Sequence, residues 1–353
     1  MPEPLLELHG VSVHFRRGRT LLRAVEEVSF HLEPGDVLCL VGESGSGKTT
    51  LGKVAAGLLR PTSGSVRYRG QDVWRLPANA FRSFRRAVQI VHQDPYASLN
   101  PIRTVADTLV APLLHHGIAR NRADAVERAA RLLELVDLVP PEQFLPKYPH
   151  QLSGGQRQRV SIARALTVGP ELIVADEATS MVDVSIRVSL LHTLRRLREE
   201  LGVAFLFITH DLAMAKYFAW QGRIAVLYLG RVVELGPTPS VIGHPLHPYT
   251  QALLAALPEP DPELTRQKAK LLLRSLDIPS LANLPAGCPF HPRCLHFVAG
   301  LCDVERPLLD AVDGQRAVAC HIVRQERTGS DGLRSSMEVP TPGNDERLSL
   351  ERG

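Results

Sequence analysis

The sequence predicts an α/β fold whose sheet is buried on both faces, and three observations predict it. Short, largely apolar runs recur at Val37–Val41, Val88–Val91, 172–175 and 203–208, the pattern of strands covered on both sides. Between them, apolar residues fall at helical spacing. Val126, Ala129, Ala130 and Leu133 form one such series; Leu190, Leu194, Leu197 and Leu201 form another, stopped by Gly202. The first apolar run leads directly into a glycine-rich loop, as strand–helix alternation requires.

That loop reads Gly42-Glu43-Ser44-Gly45-Ser46-Gly47-Lys48-Thr49, followed by Thr50, and fits G-x-x-x-x-G-K-[ST] immediately after a strand. Glycines let the backbone wrap so that its N–H groups face phosphate oxygens, and the helix that follows adds its positive end. Lys48 is expected to reach the β- and γ-phosphates of ATP, and Thr49 to offer its hydroxyl to Mg²⁺. The run at 172–175 ends in Asp176 and Glu177. An apolar strand rarely delivers two carboxylates unless a cation or reactive group lies there. Alone, the pair also suits a solvated strand end; with a phosphate loop upstream, Asp176 is expected in the Mg²⁺ shell and Glu177 beside the attacking water.

Composition bounds the rest. The chain has 353 residues, 44% apolar and 22% charged, enough for one large domain and a smaller one. No apolar run approaches the ~20 residues of a membrane-spanning helix. The N-terminal residues lack a basic stretch followed by an apolar segment, so no secretory or mitochondrial presequence is predicted and a cytoplasmic location is expected. The net charge of +4 is spread along the chain, and no nucleic-acid partner is predicted. After Leu257 the composition turns to Pro-Glu-Pro-Asp-Pro-Glu and then to a Cys-, His- and Pro-rich segment. The expected division is a nucleotide-binding domain over 1–257, an extension over 258–324 and a disordered tail over 325–353.

One further segment narrows the class. Leu152-Ser153-Gly154-Gly155-Gln156 closely resembles the LSGGQ signature of ATP-binding cassette (ABC) ATPases. The resemblance covers about the first 325 residues. It implies a P-loop cassette with a RecA-like core sheet and a helical subdomain over about 95–165 that docks on a membrane partner. It also implies that Ser153, Gly154, Gly155 and Gln156 face the γ-phosphate held by a second cassette, like or unlike this one. Gln93 resembles the Q-loop glutamine that contacts metal and nucleophile, His210 the switch histidine, and Asp183 the D-loop aspartate, although Met181-Val182 stands where the family usually has Ala-Leu. Phe15 is either the aromatic that stacks on adenine or a core phenylalanine. His247-Pro248-Tyr249 and Gly287-Cys288-Pro289-Phe290-His291-Pro292-Arg293-Cys294 resemble the oligopeptide, dipeptide and nickel branch of ABC importers. Both are expected to lie outside the catalytic core and to report on transport rather than on hydrolysis.

The resemblance therefore implies an ATPase at the cytoplasmic face of the membrane, with two permease subunits and, indirectly, an external solute-binding protein. Peptides are the expected solute, with nickel or short sugars as alternatives. A soluble ABC ATPase acting on ribosomes or DNA, or an exporter subunit, is the rival reading. Four of the five cysteines, Cys288, Cys294, Cys302 and Cys320, cluster in the extension. In a reducing compartment such clustering favours metal over disulfides. The spacing lacks the paired C-x₂-C of common zinc sites, and the resemblance implies a four-cysteine iron–sulfur cluster. Reduced thiols, or zinc with a histidine such as His291, remain the alternatives. Cys39, alone in the strand before the loop, is expected to be inert core.

Overall fold

The computed structural model describes residues 3–18, 20–180, 182–257 and 273–328. In chain order the elements begin with β1 (Leu6–Arg17), β2 (Thr20–Leu32), β3 (Val37–Val41), α1 (Lys48–Ala55), β4 (Ser63–Tyr68) and β5 (Gln71–Asp72). Next come α2 (Ala78–Ala87), β6 (Val88–Val91), α3 (Pro95–Ser98), α4 (Val105–His115), α5 (Arg122–Leu135) and α6 (Gly154–Leu166). The second half supplies β7 (Leu172–Asp176), α7 (Val184–Leu201), β8 (Ala204–Thr209), α8 (Leu212–Phe218), β9 (Arg223–Tyr228), β10 (Arg231–Pro237), α9 (Thr238–Gly243), α10 (Pro248–Ala255), β11 (Asp310–Ala311) and β12 (Ala317–Val318).

The central sheet runs in the order β11-β12-β10-β9-β3-β8-β7-β6, and a smaller antiparallel sheet runs β2-β1-β4-β5. The continuous apolar runs have a simple cause. In β3, Val37, Cys39 and Val41 enter the core on one face while Leu38 and Leu40 enter the core on the other. In β8, Phe205 and Phe207 likewise oppose Leu206 and Ile208. With both faces covered there is no position for a polar residue, and each such side chain contributes about 1.5–3 kcal/mol by leaving water.

Parallel register brings the functional loops together. β3 lies parallel to β8, with Val41 opposite Thr209, and β7 lies parallel to β8, with Asp176 opposite Ile208. β6 adds Val91 opposite Ala175. The segments that leave Val41, Val91, Asp176 and Thr209 therefore emerge side by side at the carboxyl edge of the sheet, where ligands of open α/β sheets bind.

Two predicted boundaries shift. Asp176 is the last residue of β7, and β8 runs one residue later than the apolar run, to Thr209. The β1–β2 ribbon and the β9–β10 hairpin were not expected as elements. Register shifts interrupt the β1–β2 pairing, and the exposed positions along β2 break the apolar continuity that marks the central strands.

The Cys-rich extension joins the cassette directly. β12 pairs with β10 through Glu234 opposite Val318 and Leu235 opposite Ala317, and Phe290 and Cys294 lie in the same core as β3 and β8. Residues 325–328, placed in the predicted tail, complete a helix, His321–Thr328. Residues 329–353 of that tail, residues 258–272 of the extension, and Met181 lie outside the described residues. Among the described residues no helix is long and apolar enough to cross a membrane.

Candidate functional site

The loop after β3 is shaped by glycines that nothing larger can replace. Gly42 has φ 152° and a Cβ there would meet the Leu227 carbonyl oxygen at 2.1 Å; at Gly47, φ 100°, it would meet the Ala24 carbonyl oxygen at 2.2 Å. Gly47 caps α1, so Lys48, Thr49 and Thr50 form the helix's first turn, whose N–H groups have no carbonyl a turn earlier to bond. Ser44 and Gly45 are exposed at the open side, and Ser46 is buried, its carbonyl accepting the Gly230 N–H at 2.9 Å. Lys48 is buried with its ammonium donating to the carbonyls of Gly42 and Glu43, both at 2.8 Å, and to Ser46 Oγ at 3.4 Å. Burial lowers its pKa, while the carboxylates of Glu177, Asp176 and Glu43 oppose that shift. An ammonium held by carbonyl oxygens in a partly desolvated loop has much to gain from phosphate oxygens.

One carboxylate of the strand end meets the first turn of α1. The Thr49 hydroxyl donates to Asp176 Oδ1 at 3.0 Å across 127 residues. Asp176 is buried, and burial raises its pKa; the Thr49 hydrogen bond works against this and the neighbouring Glu177 charge with it. Glu177 adopts φ 47°, a left-handed conformation that costs a non-glycine residue about 1–3 kcal/mol and clusters at functional sites. Its N–H donates to the Ile208 carbonyl at 3.0 Å. Gln93 Nε2 donates to Glu177 Oε2 at 2.9 Å, and His210 Nδ1 stands 3.3 Å from Glu177 Oε1. Three segments, after β6, β7 and β8, thus converge on one carboxylate.

Other expected residues lie farther out. Phe15 pairs with Leu22 on the ribbon whose Ala24 abuts Gly47, and the residue is 41% exposed, so it is not a core phenylalanine. Ser153 and Gln156 form a reciprocal capping box at the start of α6, and Gly155 packs closely on Ile186 of α7. Asp183 is exposed just before α7 and its side chain makes no cap hydrogen bond. The segment around Gln93 is tied to α6: the Arg157 guanidinium lies 3.9 Å from the Tyr96 ring centroid and Gln158 Nε2 donates to the His92 carbonyl at 3.4 Å.

Two residues were recognised in the sequence only as subfamily marks. Tyr249 accepts the Glu43 N–H at 2.9 Å, and Arg293 donates to both Glu43 carboxylate oxygens at 2.9 and 3.0 Å. The expectation that these segments lie outside the catalytic core is thereby corrected, because both touch the phosphate loop. Pattern reading had no signal for this, since contacts across 206 and 250 residues leave no periodic trace.

The expected metal centre of the extension does not emerge as a ligand set. Among the described residues no group of three or more His, Cys, Asp or Glu is spaced to hold a metal ion. Burial pushes the Cys288 thiol up to about 12 and the Cys294 thiol up to about 11, with neighbouring thiols adding to both shifts. His291 spends Nδ1 on the Cys288 carbonyl at 2.9 Å, and Cys39 is a buried free thiol in β3, as core chemistry predicts.

A mixed sheet whose parallel strands gather a glycine-rich loop, a carboxylate pair, a glutamine and a histidine at one edge defines a P-loop nucleotide-hydrolysing cassette. Residues 25–180 match the family described as ABC transporter, and residues 233–302 match the oligopeptide/dipeptide transporter C-terminal region. A Bacillus subtilis (strain 168) protein named as an oligopeptide transport ATP-binding protein is 43% identical over 92% of this chain and 97% of its own. A Brucella ovis protein named as a peptide import ATP-binding protein is 45% identical over 82% of this chain and 89% of its own. The chain belongs to the ABC transporter family of ATP-binding proteins; it is an ATPase that uses ATP with Mg²⁺. Among solved structures, an ATP-binding cassette dimer in a post-hydrolysis state with ADP and phosphate superposes with TM-score 0.59 at 29% identity, covering 66% of this chain and 98% of that one. A cassette from a Clostridium perfringens ABC transporter complex shares the fold, with TM-score 0.60 at 23% identity over 69% of this chain and 92% of that one.

Proposed function

We propose that this chain is the ATP-hydrolysing subunit of a peptide importer and that Glu177 is the group that activates water. The observation that carries the catalytic part is the convergence of Gln93 and His210 on the Glu177 carboxylate, beside the Thr49–Asp176 pair. The solute assignment draws support from the names of the relatives and from the match to the oligopeptide/dipeptide C-terminal region.

In this reading the loop from Gly42 to Thr50 wraps the triphosphate, Lys48 exchanges its carbonyl partners for phosphate oxygens, and Phe15 stacks on adenine. Thr49, Asp176 and Gln93 would hold Mg²⁺, which when bound would supply charge neutralisation for the phosphates. Glu177 accepts the proton of the attacking water, while the Gln93 amide fixes one carboxylate oxygen and His210 stands beside the other. Ser153, exposed at the start of α6, completes the γ-phosphate site of a second cassette with Gly154, Gly155 and Gln156, and Asp183 lines the seam between the two. That cassette is a copy of this chain or a paralogue. Closure and reopening of the pair drive two permease subunits, fed by a solute-binding protein, with this chain bound at the cytoplasmic face of the membrane. No nucleic acid takes part, and an iron–sulfur cluster on Cys288, Cys294, Cys302 and Cys320 is not part of the reading.

The test is ATPase activity of the purified chain with Mg²⁺, alone and reconstituted with its permease subunits and a peptide-loaded binding protein. Stimulation by the loaded binding protein is expected. Activity indifferent to permease and peptide would overturn the import assignment and leave the ATPase chemistry in place.

A further inference from the structure

Glu43, the second residue of the phosphate loop, has every polar group engaged. Its N–H goes to the Tyr249 hydroxyl at 2.9 Å, its carbonyl accepts the Lys48 ammonium at 2.8 Å, and its two carboxylate oxygens take Arg293 Nη1 and Nη2 at 2.9 and 3.0 Å. Arg293 belongs to the Cys-rich extension and is 5% exposed. It is walled in by aromatic rings: its guanidinium carbon lies 5.7 Å from the centroids of both Tyr228 and Phe290, and Nη1 also reaches the Tyr228 hydroxyl at 3.4 Å. Tyr228, Tyr249 and Phe290 are themselves packed ring against ring, with centroids 4.5 to 5.4 Å apart. The arginine is therefore fixed before it meets the glutamate, and a two-pronged fork on a carboxylate sets orientation as well as charge.

Two consequences follow from this geometry. A carboxylate beside a polyphosphate site repels the ligand unless a cation neutralises it, and Glu43 lies near enough to Lys48 for its charge to act on that ammonium. The loop's backbone, whose N–H groups are to receive phosphate, is also anchored at Glu43 by Tyr249 of α10, and its carboxylate by Arg293 of the extension. We propose that the C-terminal extension is a working part of the ATP site, in which Arg293 is a positioning residue that neutralises and holds Glu43 so that the phosphate loop is preset for MgATP. The inference rests on the assignment of MgATP to this loop and goes beyond it by giving the extension a role in nucleotide affinity.

The experiment compares the full chain with Arg293→Met, Arg293→Lys, Glu43→Gln and the Arg293→Met/Glu43→Gln double variant, measuring MgATP affinity by calorimetry, KM and kcat for ATP, and thermal unfolding. Arg293→Met is expected to weaken MgATP binding about tenfold, because an unpaired carboxylate is left at the phosphate site. Arg293→Lys should recover only part of the loss, since a single ammonium cannot hold both oxygens. The double variant should bind better than Arg293→Met, because the freed charge is gone. Unchanged affinity in Arg293→Met would overturn the proposal. So would a double variant no better than the single one, with affinity tracking only the loss of thermal stability. A wild-type chain that fails to bind MgATP would remove the assignment of the loop itself, and this proposal with it.

Discussion

Gln93 and Glu177 are joined side chain to side chain, Nε2 donating to Oε2 at 2.9 Å, although 84 residues separate them. The bond exists because β6 and β7 run parallel with Val91 opposite Ala175, so the residues two positions beyond each partner leave the sheet together. A glutamine at the end of one strand thereby orients the carboxylate at the end of its neighbour, and the catalytic expectations follow from that pairing.

Glu177→Gln keeps the side chain's size and removes its basicity. Turnover is expected to fall by about 10²–10⁴, the usual contribution of a positioned general base, with MgATP binding retained. Steady-state ATPase assays paired with calorimetric MgATP titration check this; hydrolysis near the wild-type rate would remove Glu177 from its role.

Gln93→Ala leaves the carboxylate without its amide partner. A hydrogen bond to a charged group contributes about 1.5–3 kcal/mol, so kcat should drop roughly tenfold or more. The loss should be smaller than for Glu177→Gln, which the same assay ranks directly.

Thr49→Val removes both the hydroxyl expected at Mg²⁺ and the 3.0 Å hydrogen bond that Asp176 accepts. The Mg²⁺ concentration for half-maximal ATPase activity should rise about 10- to 100-fold. A titration of activity against Mg²⁺ at saturating ATP provides the measurement.

Stability should depend on pH through His247, which burial holds neutral, its pKa pushed down to about 3 from 6.5. Below pH 6.5 the unfolded chain binds a proton that the folded chain refuses, so this residue's effect is to make stability fall as pH drops from 6.5 towards 3, by up to about 1.4 kcal/mol per pH unit. Glu234, whose carboxylate accepts the His247 N–H at 3.0 Å, has its pKa raised by burial and acts in the opposite sense. The comparison is therefore between wild type and His247→Asn, which keeps an acceptor for the Tyr249 N–H but does not titrate. Urea midpoints should fall more steeply with acid in the wild type; equal slopes would contradict the assignment.

Phe207 is fully buried in β8 and its ring lies 4.8 Å from Phe218 on α8. Phe207→Ala should cost about 3–5 kcal/mol of stability, read from chemical denaturation.

The sequence by itself determined the parts whose chemistry is local. Gly42 to Thr49 reads as a phosphate loop because the spacing of its glycines, lysine and threonine matches that motif. Asp176 and Glu177 stood out because an apolar strand does not end in two carboxylates without cause, and β3 and β8 because burial on both faces leaves only apolar residues. Ser153 was readable as a helix start for the same local reason. Tertiary structure alone decided what strand register and domain packing bring together: Gln93 and His210 on Glu177, Thr49 on Asp176, and Tyr249 and Arg293 on Glu43. Periodicity records which face of an element meets a core, but it carries no record of which distant side chain waits there. A contact spanning 250 residues is set by the sum of all the packing between its two ends.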